Sequence, residues 1–360
     1  MSSIGSRNPA ALMYRTIARA FVFACVFVAG CAAAENASES GAAAKVDLFV
    51  KSTTNSPEAA DLIAGFMKLN PDVTVRYSKT LSTSLFDGVA GPADAKDPID
   101  LVWSSAMDLQ IKLANDGFAS EYRSAEADSI PAWAQWKDIA YGITTEPVVM
   151  VYNKRLLRDD MVPKDRAGLL QVLTDHPAVF QGRIATYDPE LSGTGLLFIT
   201  QDVRITPLTW KLVSALGRAG VKLYTSSNPM IDRVITGEFV LAYNVLGAYA
   251  LERAKQDPDL GIVFPADYTL LMSRIALIPR SALHPAAARR FMDYLLSRAG
   301  QAQLAGHSLS SVRTDIQPAV PDRVAKSLRP IALNIDLLTY LDRAKRNRFL
   351  AQWKKTLQGQ

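Results

Sequence analysis

An α/β fold with two separate cores is what this chain predicts, and three observations carry that expectation. Short β-type runs alternate with helical patterns along most of the chain, the order that builds largely parallel sheets. A length of 360 residues is enough for two ordinary domains. A composition that is 49% apolar and 21% charged is globular and excludes long disorder. In such folds ligands sit beyond the carboxyl ends of the strands, where the loops into helices gather.

The first segment stands apart. Arg7, Arg15 and Arg19 precede an apolar stretch from Phe21 to Gly30, and no acidic residue occurs before Glu35. That pattern reads as an export signal, too short to span a bilayer. Val28-Ala29-Gly30-Cys31 resembles a lipobox, in which Cys31 would be acylated as the first residue of the mature chain. Ala32-Ala33-Ala34 also fits cleavage after Ala34; the lipobox reading ranks ahead. The three arginines account for three of the five net positive charges. With no basic block bearing interleaved aromatics elsewhere, nucleic acid is not an expected partner. Both cysteines, Cys25 and Cys31, fall in this segment, so the mature body is expected to have no disulfide, no cysteine metal site and no cysteine nucleophile. Glu35 to Ala44 reads as a tether.

From Lys45 the elements follow in order. Val46 to Val50 is a strand, and Pro57-Glu58 opens a helix running to Leu69, closed by Asn70-Pro71. Val73 to Tyr77 is a strand and Ser82 to Val89 a helix. Ile99 to Trp103 is a buried strand, followed by a helix that starts at Ser104-Ser105 and ends near Gly117. Val148 to Tyr152 is a strand, Ala167 to Leu173 a helix and Arg183 to Tyr187 a strand. Strands at Val221 to Thr225, Val240 to Tyr243 and Ile262 to Phe264 are separated by helices at Pro229 to Thr236 and Gly247 to Lys255. Ile275 to Ile278 is apolar, and "HPAAARRFMDYLLSRAGQAQLAG" reads as one amphipathic helix. Ala332 to Leu357 is mostly helical by pattern.

Three strand-to-helix loops are rich in small hydroxyl and amide residues: Ser52-Thr53-Thr54-Asn55-Ser56, Ser104-Ser105 and Ser192-Gly193-Thr194-Gly195. Each places free backbone N–H groups at a helix start, where the dipole favours an anion. Plain N-capping accounts for any one of them alone. Capping needs only one such residue, however, and the third loop has glycines on both sides of Thr194, which lets a ligand approach the backbone. It reads as an anion cradle. Trp103 and Tyr243 end strands that open towards the same region, and Arg313 could reach an anion there. His176, His284 and His307 show no metal-ligand spacing, and "SGTG" is neither a P-loop nor a nucleophile elbow. No cofactor, no metal site and no enzymatic activity are expected.

The order of "DLFVKSTTNSPEA", "PIDLVWSSAMDLQ", "VVMVYNKRLL", "GRIATYDPELSGTG", "GEFVLAYNVLGAYALERA" and "AARRFMDYLLSRAGQ" resembles the solute-binding proteins of ABC transporters. More narrowly it is similar to the type II periplasmic branch that includes ferric-ion and phosphorylated-solute binders. The resemblance covers Lys45 to Asp315. It implies a two-lobed fold of mostly parallel sheets with crossing hinge strands, closing on solute like a jaw. The implied organisation is a signal at 1–31, a linker at 32–44, lobe I at 45–148 plus 270–320, lobe II at 149–269, and a C-terminal helical segment at 321–360. The resemblance carries over Ser192, Gly193 and Thr194 as an anion-binding helix start and Asn244 as an asparagine beside the site; Thr53, Thr54, Asn55, Ser104, Ser105, Ser227 and Tyr243 complete the expected ligand residues.

The chain departs from the ferric members of that branch. They carry adjacent tyrosines after the position of Asn244, where this chain has Val245-Leu246, and Ser105 stands where an acidic ligand often follows. Fe(III) takes anionic oxygen ligands, whereas these loops supply neutral hydroxyls and amides. The expected function is a monomeric, lipid-anchored periplasmic protein that delivers a small anionic solute to a permease. The alternatives are a ferric-iron transport protein, a ligand-presenting subunit for a sensor kinase and, last, a periplasmic hydrolase.

Overall fold

The computed structural model describes residues 45–92, 97–316 and 322–359. The export signal, Cys31 and the tether up to residue 44 lie outside the described residues.

Lobe I begins with β1 (Val46–Ser52), whose inward residues Leu48, Val50 and Ser52 are buried in strict alternation. Helix α1 (Ser56–Leu69) follows, with Pro57 in its first turn and Ala59, Leu62 and Phe66 on the buried face. Next come β2 (Val73–Lys79), α2 (Ser82–Ala90), β3 (Leu101–Ser104) and α3 (Met107–Asn115), then the short β4 (Gln135–Trp136) and β5 (Ala140–Gly142).

The chain then enters lobe II through β6 (Glu146–Asn153). Its elements are α4 (Arg166–Asp175), α5 (Pro177–Phe180), β7 (Ile184–Tyr187), α6 (Gly193–Ile205), α7 (Leu208–Arg218), β8 (Lys222–Tyr224), α8 (Ser227–Thr236), β9 (Leu241–Leu246), α9 (Gly247–Ala254), β10 (Leu260–Val263) and β11 (Thr269–Met272). The chain returns to lobe I with β12 (Ile275–Leu277), α10 (Pro285–Leu296) and α11 (Arg298–Gly306). The single amphipathic helix expected here is two helices, because Ser297 ends the first and its hydroxyl accepts from the amide of Gly300 in the second. A last strand, β13 (Leu328–Pro330), and helix α12 (Arg343–Leu357) complete the described chain.

Lobe I is built on a sheet ordered β2-β1-β3-β12-β5-β4, and lobe II on one ordered β13-β11-β6-β9-β7-β8, with β10 paired to β6. Both sheets are mixed, where mostly parallel ones were expected. Five of the eleven ladders between these strands are parallel. The reason is the crossing itself: β12 runs back against β3, and β6 is antiparallel to both β11 and β9. The chain passes between the sheets at 143–145 and again at 273–274. These two connections are tied to each other, for the Ile143 amide donates to the Arg274 carbonyl, and the Arg274 amide to Thr144 Oγ1.

The C-terminal segment is not purely helical. Its strand β13 adds to lobe II parallel to β11, while the Leu333 amide donates to the Trp133 carbonyl in lobe I. The 3-10 helix Ile335–Leu341 packs on α3, and Asp336 pairs with Arg204 of α6. Helix α12 then covers lobe II, where Phe349 and Trp353 join Leu196, Ile199 and Val213 in one apolar cluster.

Candidate functional site

In lobe I the carboxyl ends of β1 and β3 lie side by side, because these strands pair in parallel with Ser52 opposite Trp103. Their following loops therefore meet. Thr53 Oγ1 accepts from the Ser105 amide at 3.1 Å and lies 3.5 Å from each of the hydroxyls of Ser104 and Ser105. Thr53 and Ser105 are half-buried, while Ser104 is buried and its hydroxyl accepts from the Ala106 amide. Thr54 faces inward and is fully buried. Its Oγ1 accepts from Trp103 Nε1 at 2.7 Å and from Arg274 Nη1 at 2.9 Å. Asn55 is held by Glu58, which accepts from both its side-chain and its backbone nitrogen, and by Lys79, which donates to Oδ1 at 2.6 Å. So Thr53 and Ser105 remain available to a ligand, while Thr54, Asn55 and Ser104 are engaged in shaping the loops.

The lobe II half is the start of α6. Ser192 caps it, its hydroxyl accepting from the Gly195 amide at 3.1 Å. Among the described residues, nothing accepts from the amides of Gly193 and Thr194. A Cβ on Gly193 would meet nothing within 4 Å, whereas one on Gly195 would lie 2.5 Å from Tyr187 Cβ. The two glycines thus serve different ends. Gly195 lets the helix pack against β7, and Gly193 leaves room in front of two free N–H groups; neither has a positive φ.

The other expected residues of lobe II hold the scaffold. Ser227 is buried, its hydroxyl 2.6 Å from that of Tyr187 and accepting from the Leu246 amide. Tyr243 and Asn244 both turn away into the lobe. Tyr243 donates to Asp202 Oδ2 at 2.8 Å and accepts from Arg166 Nε, while Asn244 Nδ2 donates to the same Oδ2 at 2.7 Å. Asp202 Oδ1 takes two further bonds, from Arg166 Nη2 and the Tyr268 hydroxyl. Asp202 and Arg166 are both fully buried, so the carboxylate, with four donors, is an ion pair satisfied on every side. Arg313, too, is taken: it pairs with Asp315 and Glu126 and is buried.

Burial sets the chemistry of the phenols here. It is the main force that pushes Tyr187 and Tyr243 well above the ordinary phenol value; Tyr268 rises for the same reason, with the Asp202 charge adding to it. None of them is disposed to ionise. Val245 and Leu246, where the tyrosine pair of ferric binders would stand, are buried apolar residues. Among the described residues no cluster of three or more His, Cys, Asp or Glu is arranged to hold a metal ion.

Two cavities lie between the lobes, and neither is lined by Thr53, Ser105, Gly193 or Thr194. One, of about 280 Å³, lies between α3 and α6, with Asp108, Thr200, Gln201 and Arg204 on the lobes and Asp336 and Tyr340 on the C-terminal segment. The other, of about 140 Å³, lies between α1 and α11 on one side and α8 and α9 on the other, with Glu58, Asn228, Tyr249 and His307 on its walls.

Residues missed in the sequence are the buried charges Arg166, Asp202, Glu146 and Arg274. Two of them left a signal: Arg274 interrupts the apolar run from Leu270 to Ile278, and Asp202 follows the apolar run Leu196–Ile199 in α6.

The profile of a family described as bacterial extracellular solute-binding protein matches residues 61–327. Among solved structures, the chain is similar to the substrate-binding protein of an ABC transporter from Agrobacterium tumefaciens. The two share 39% identity at a TM-score of 0.78, covering 88% of this chain and 96% of that one. Iron-bound HitA from Pseudomonas aeruginosa is similar at 19% identity and a TM-score of 0.69, over 86% of this chain and 99% of that one. AfuA from Actinobacillus pleuropneumoniae, with fructose-6-phosphate bound, is similar at 18% identity and a TM-score of 0.68, over 87% and 99%. The last two likenesses show the fold alone. No curated protein matches the chain.

Proposed function

The chain belongs to the family of bacterial extracellular solute-binding proteins, and from that premise we propose that its solute is a small anion held between the lobes. The family serves ABC transporters and is not one of enzymes, so the partner is a permease and no reaction is catalysed.

The observation that carries the anion reading is the start of α6. Two backbone N–H groups there have no acceptor among the described residues, Gly193 has no side chain to fill the space beside them, and the helix dipole adds positive potential. Lobe I contributes the hydroxyls of Thr53 and Ser105, which can donate without adding charge. A phosphate- or carboxylate-bearing solute suits that set. The sugar phosphate in AfuA is a precedent for such a solute on this fold.

Ferric iron is the weaker reading. Fe(III) favours anionic oxygen ligands, and the tyrosines near β9 are held protonated by burial. Lipid anchoring of the periplasmic protein through Cys31 belongs to the same proposal.

A panel of phosphate esters, phosphonates and carboxylates, read by thermal shift, tests it. A bound anion stabilises by mass action, about 2.7 kcal/mol at a hundredfold excess over its dissociation constant. The reading fails if only cationic or uncharged solutes raise the midpoint.

A further inference from the structure

Arg274 lies in the connection between β11 and β12, where the chain returns from lobe II to lobe I, and is almost wholly buried. Burial works against its charge, but the carboxylate of Glu146 together with the hydroxyl of Tyr249 more than offsets that, so the guanidinium is held above its ordinary value. Glu146 starts β6 beside the other connection. It accepts from Arg274 Nε at 2.9 Å and Nη2 at 3.1 Å, and from Thr144 Oγ1 at 2.8 Å. Thr144 Oγ1 in turn accepts from the Arg274 amide. The planar fork is therefore locked to both crossing connections at once.

Its remaining contacts reach one side chain in each lobe. Nη1 donates to Thr54 Oγ1 at 2.9 Å, next to Thr53 of the hydroxyl cluster, and Nη2 to the Tyr249 hydroxyl at 3.3 Å. Tyr249 is half-buried in the first turn of α9. The same helix meets lobe I twice more, through Ala248, which packs in the lobe I core, and Glu252, which accepts from Ser308 at 2.7 Å. We propose that Arg274 is a positioning residue for the solute site, holding the hydroxyl loop of lobe I and helix α9 of lobe II in register when the lobes are closed. A guanidinium that served only to join the crossing strands would need Glu146 and not Tyr249. The proposal rests on the two-lobed solute-binding reading and is independent of the solute's chemistry.

Tyr249→Phe in the full chain cuts the lobe II arm alone and leaves the Arg274–Glu146 pair in place. Small-angle scattering of the ligand-free variant should show a larger radius of gyration than wild type, at an unchanged thermal midpoint. Titration with inorganic phosphate as the probe should show affinity lowered by about two- to tenfold, the effect of one modest hydrogen bond. Arg274→Lys, which keeps the charge and loses the fork, should show the same opening. Tyr249→Phe with scattering identical to wild type overturns the proposal. If wild type binds no phosphate, the anion reading is at fault, and scattering alone decides the role of Arg274.

Discussion

Asn244 donates through Nδ2 to Asp202 Oδ2 at 2.7 Å, and it does so from a left-handed backbone, at a φ of +59°. The preceding residue, Tyr243, donates to the same oxygen. Consecutive residues of a strand point to opposite faces, so both can reach one atom only where the strand is irregular. The pairing of β9 with β6 slips at this place: Val149 is opposite Val245, but Val151 is opposite Ala242. The bulge turns both side chains onto α6 and sets the direction in which β9 runs on to α9. Asn244, expected to touch the solute, has its side-chain amide bound to Asp202 inside lobe II.

The bulge yields a stability ordering. Asn244→Gly removes one hydrogen bond to a carboxylate and relieves a conformation that side chains disfavour, whereas Asn244→Ala removes the bond and keeps the strain. Glycine should be the milder change by about 1 kcal/mol. Asp202→Ala, which leaves the buried Arg166 guanidinium with the Tyr243 hydroxyl, the Tyr268 carbonyl and the partly exposed Asp267, should cost about 3–5 kcal/mol. Urea unfolding of the three variants checks the order.

Tyrosine titration offers a second check. Burial pushes Tyr77 and Tyr141 up to about 12, and raises Tyr187 and Tyr243 as well. A phenol neutral in the fold and ionised near 10 when unfolded stabilises fully below about 10, and the contribution is lost as pH rises through the folded value. Stability should therefore fall between about pH 10 and 12, and part of the tyrosinate absorbance should appear only with unfolding. For the same reason ferric salts should raise no tyrosinate-to-iron colour. A stoichiometric coloured complex would show that one of these phenols ionises in the fold.

The C-terminal helix gives a third. A Cβ on Gly217 of α7 would lie 1.8 Å from the Leu357 carbonyl oxygen, so α12 seats on lobe II only because residue 217 has no side chain. Gly217→Val should lift the end of α12 and expose Trp353, seen as a red shift in tryptophan emission. Trp353→Ala should cost about 3–5 kcal/mol for the cavity left among Leu196, Ile199 and Val213.

How much of this was legible depends on the range of the interaction. The strand–helix order and the three hydroxyl-rich loops were readable because periodicity and capping are local, and those loops are where β1, β3 and β7 end. Which side chains are free within the loops was not readable. Thr54 and Thr53 are adjacent and of one type, yet Trp103 and Arg274 claim the first across about 50 and more than 200 residues of chain, and leave the second available. The same limit hid Arg274 and Asp202, whose partners come from distant strands. In "SGTG" the two glycines look alike in sequence, and only the position of Tyr187 tells the packing glycine from the open one.

The most direct test is calorimetric titration of wild type and Gly193→Val with whichever anion the panel selects. Since a side chain at 193 enters open space, the variant should fold with an unchanged midpoint. It should nevertheless lose binding almost completely, because the new side chain blocks the free N–H groups of α6. Ser192→Ala should weaken the helix cap by about 1 kcal/mol and bind nearly as wild type does. A folded Gly193→Val that binds the anion with wild-type affinity would contradict the account and place the solute elsewhere in the cleft.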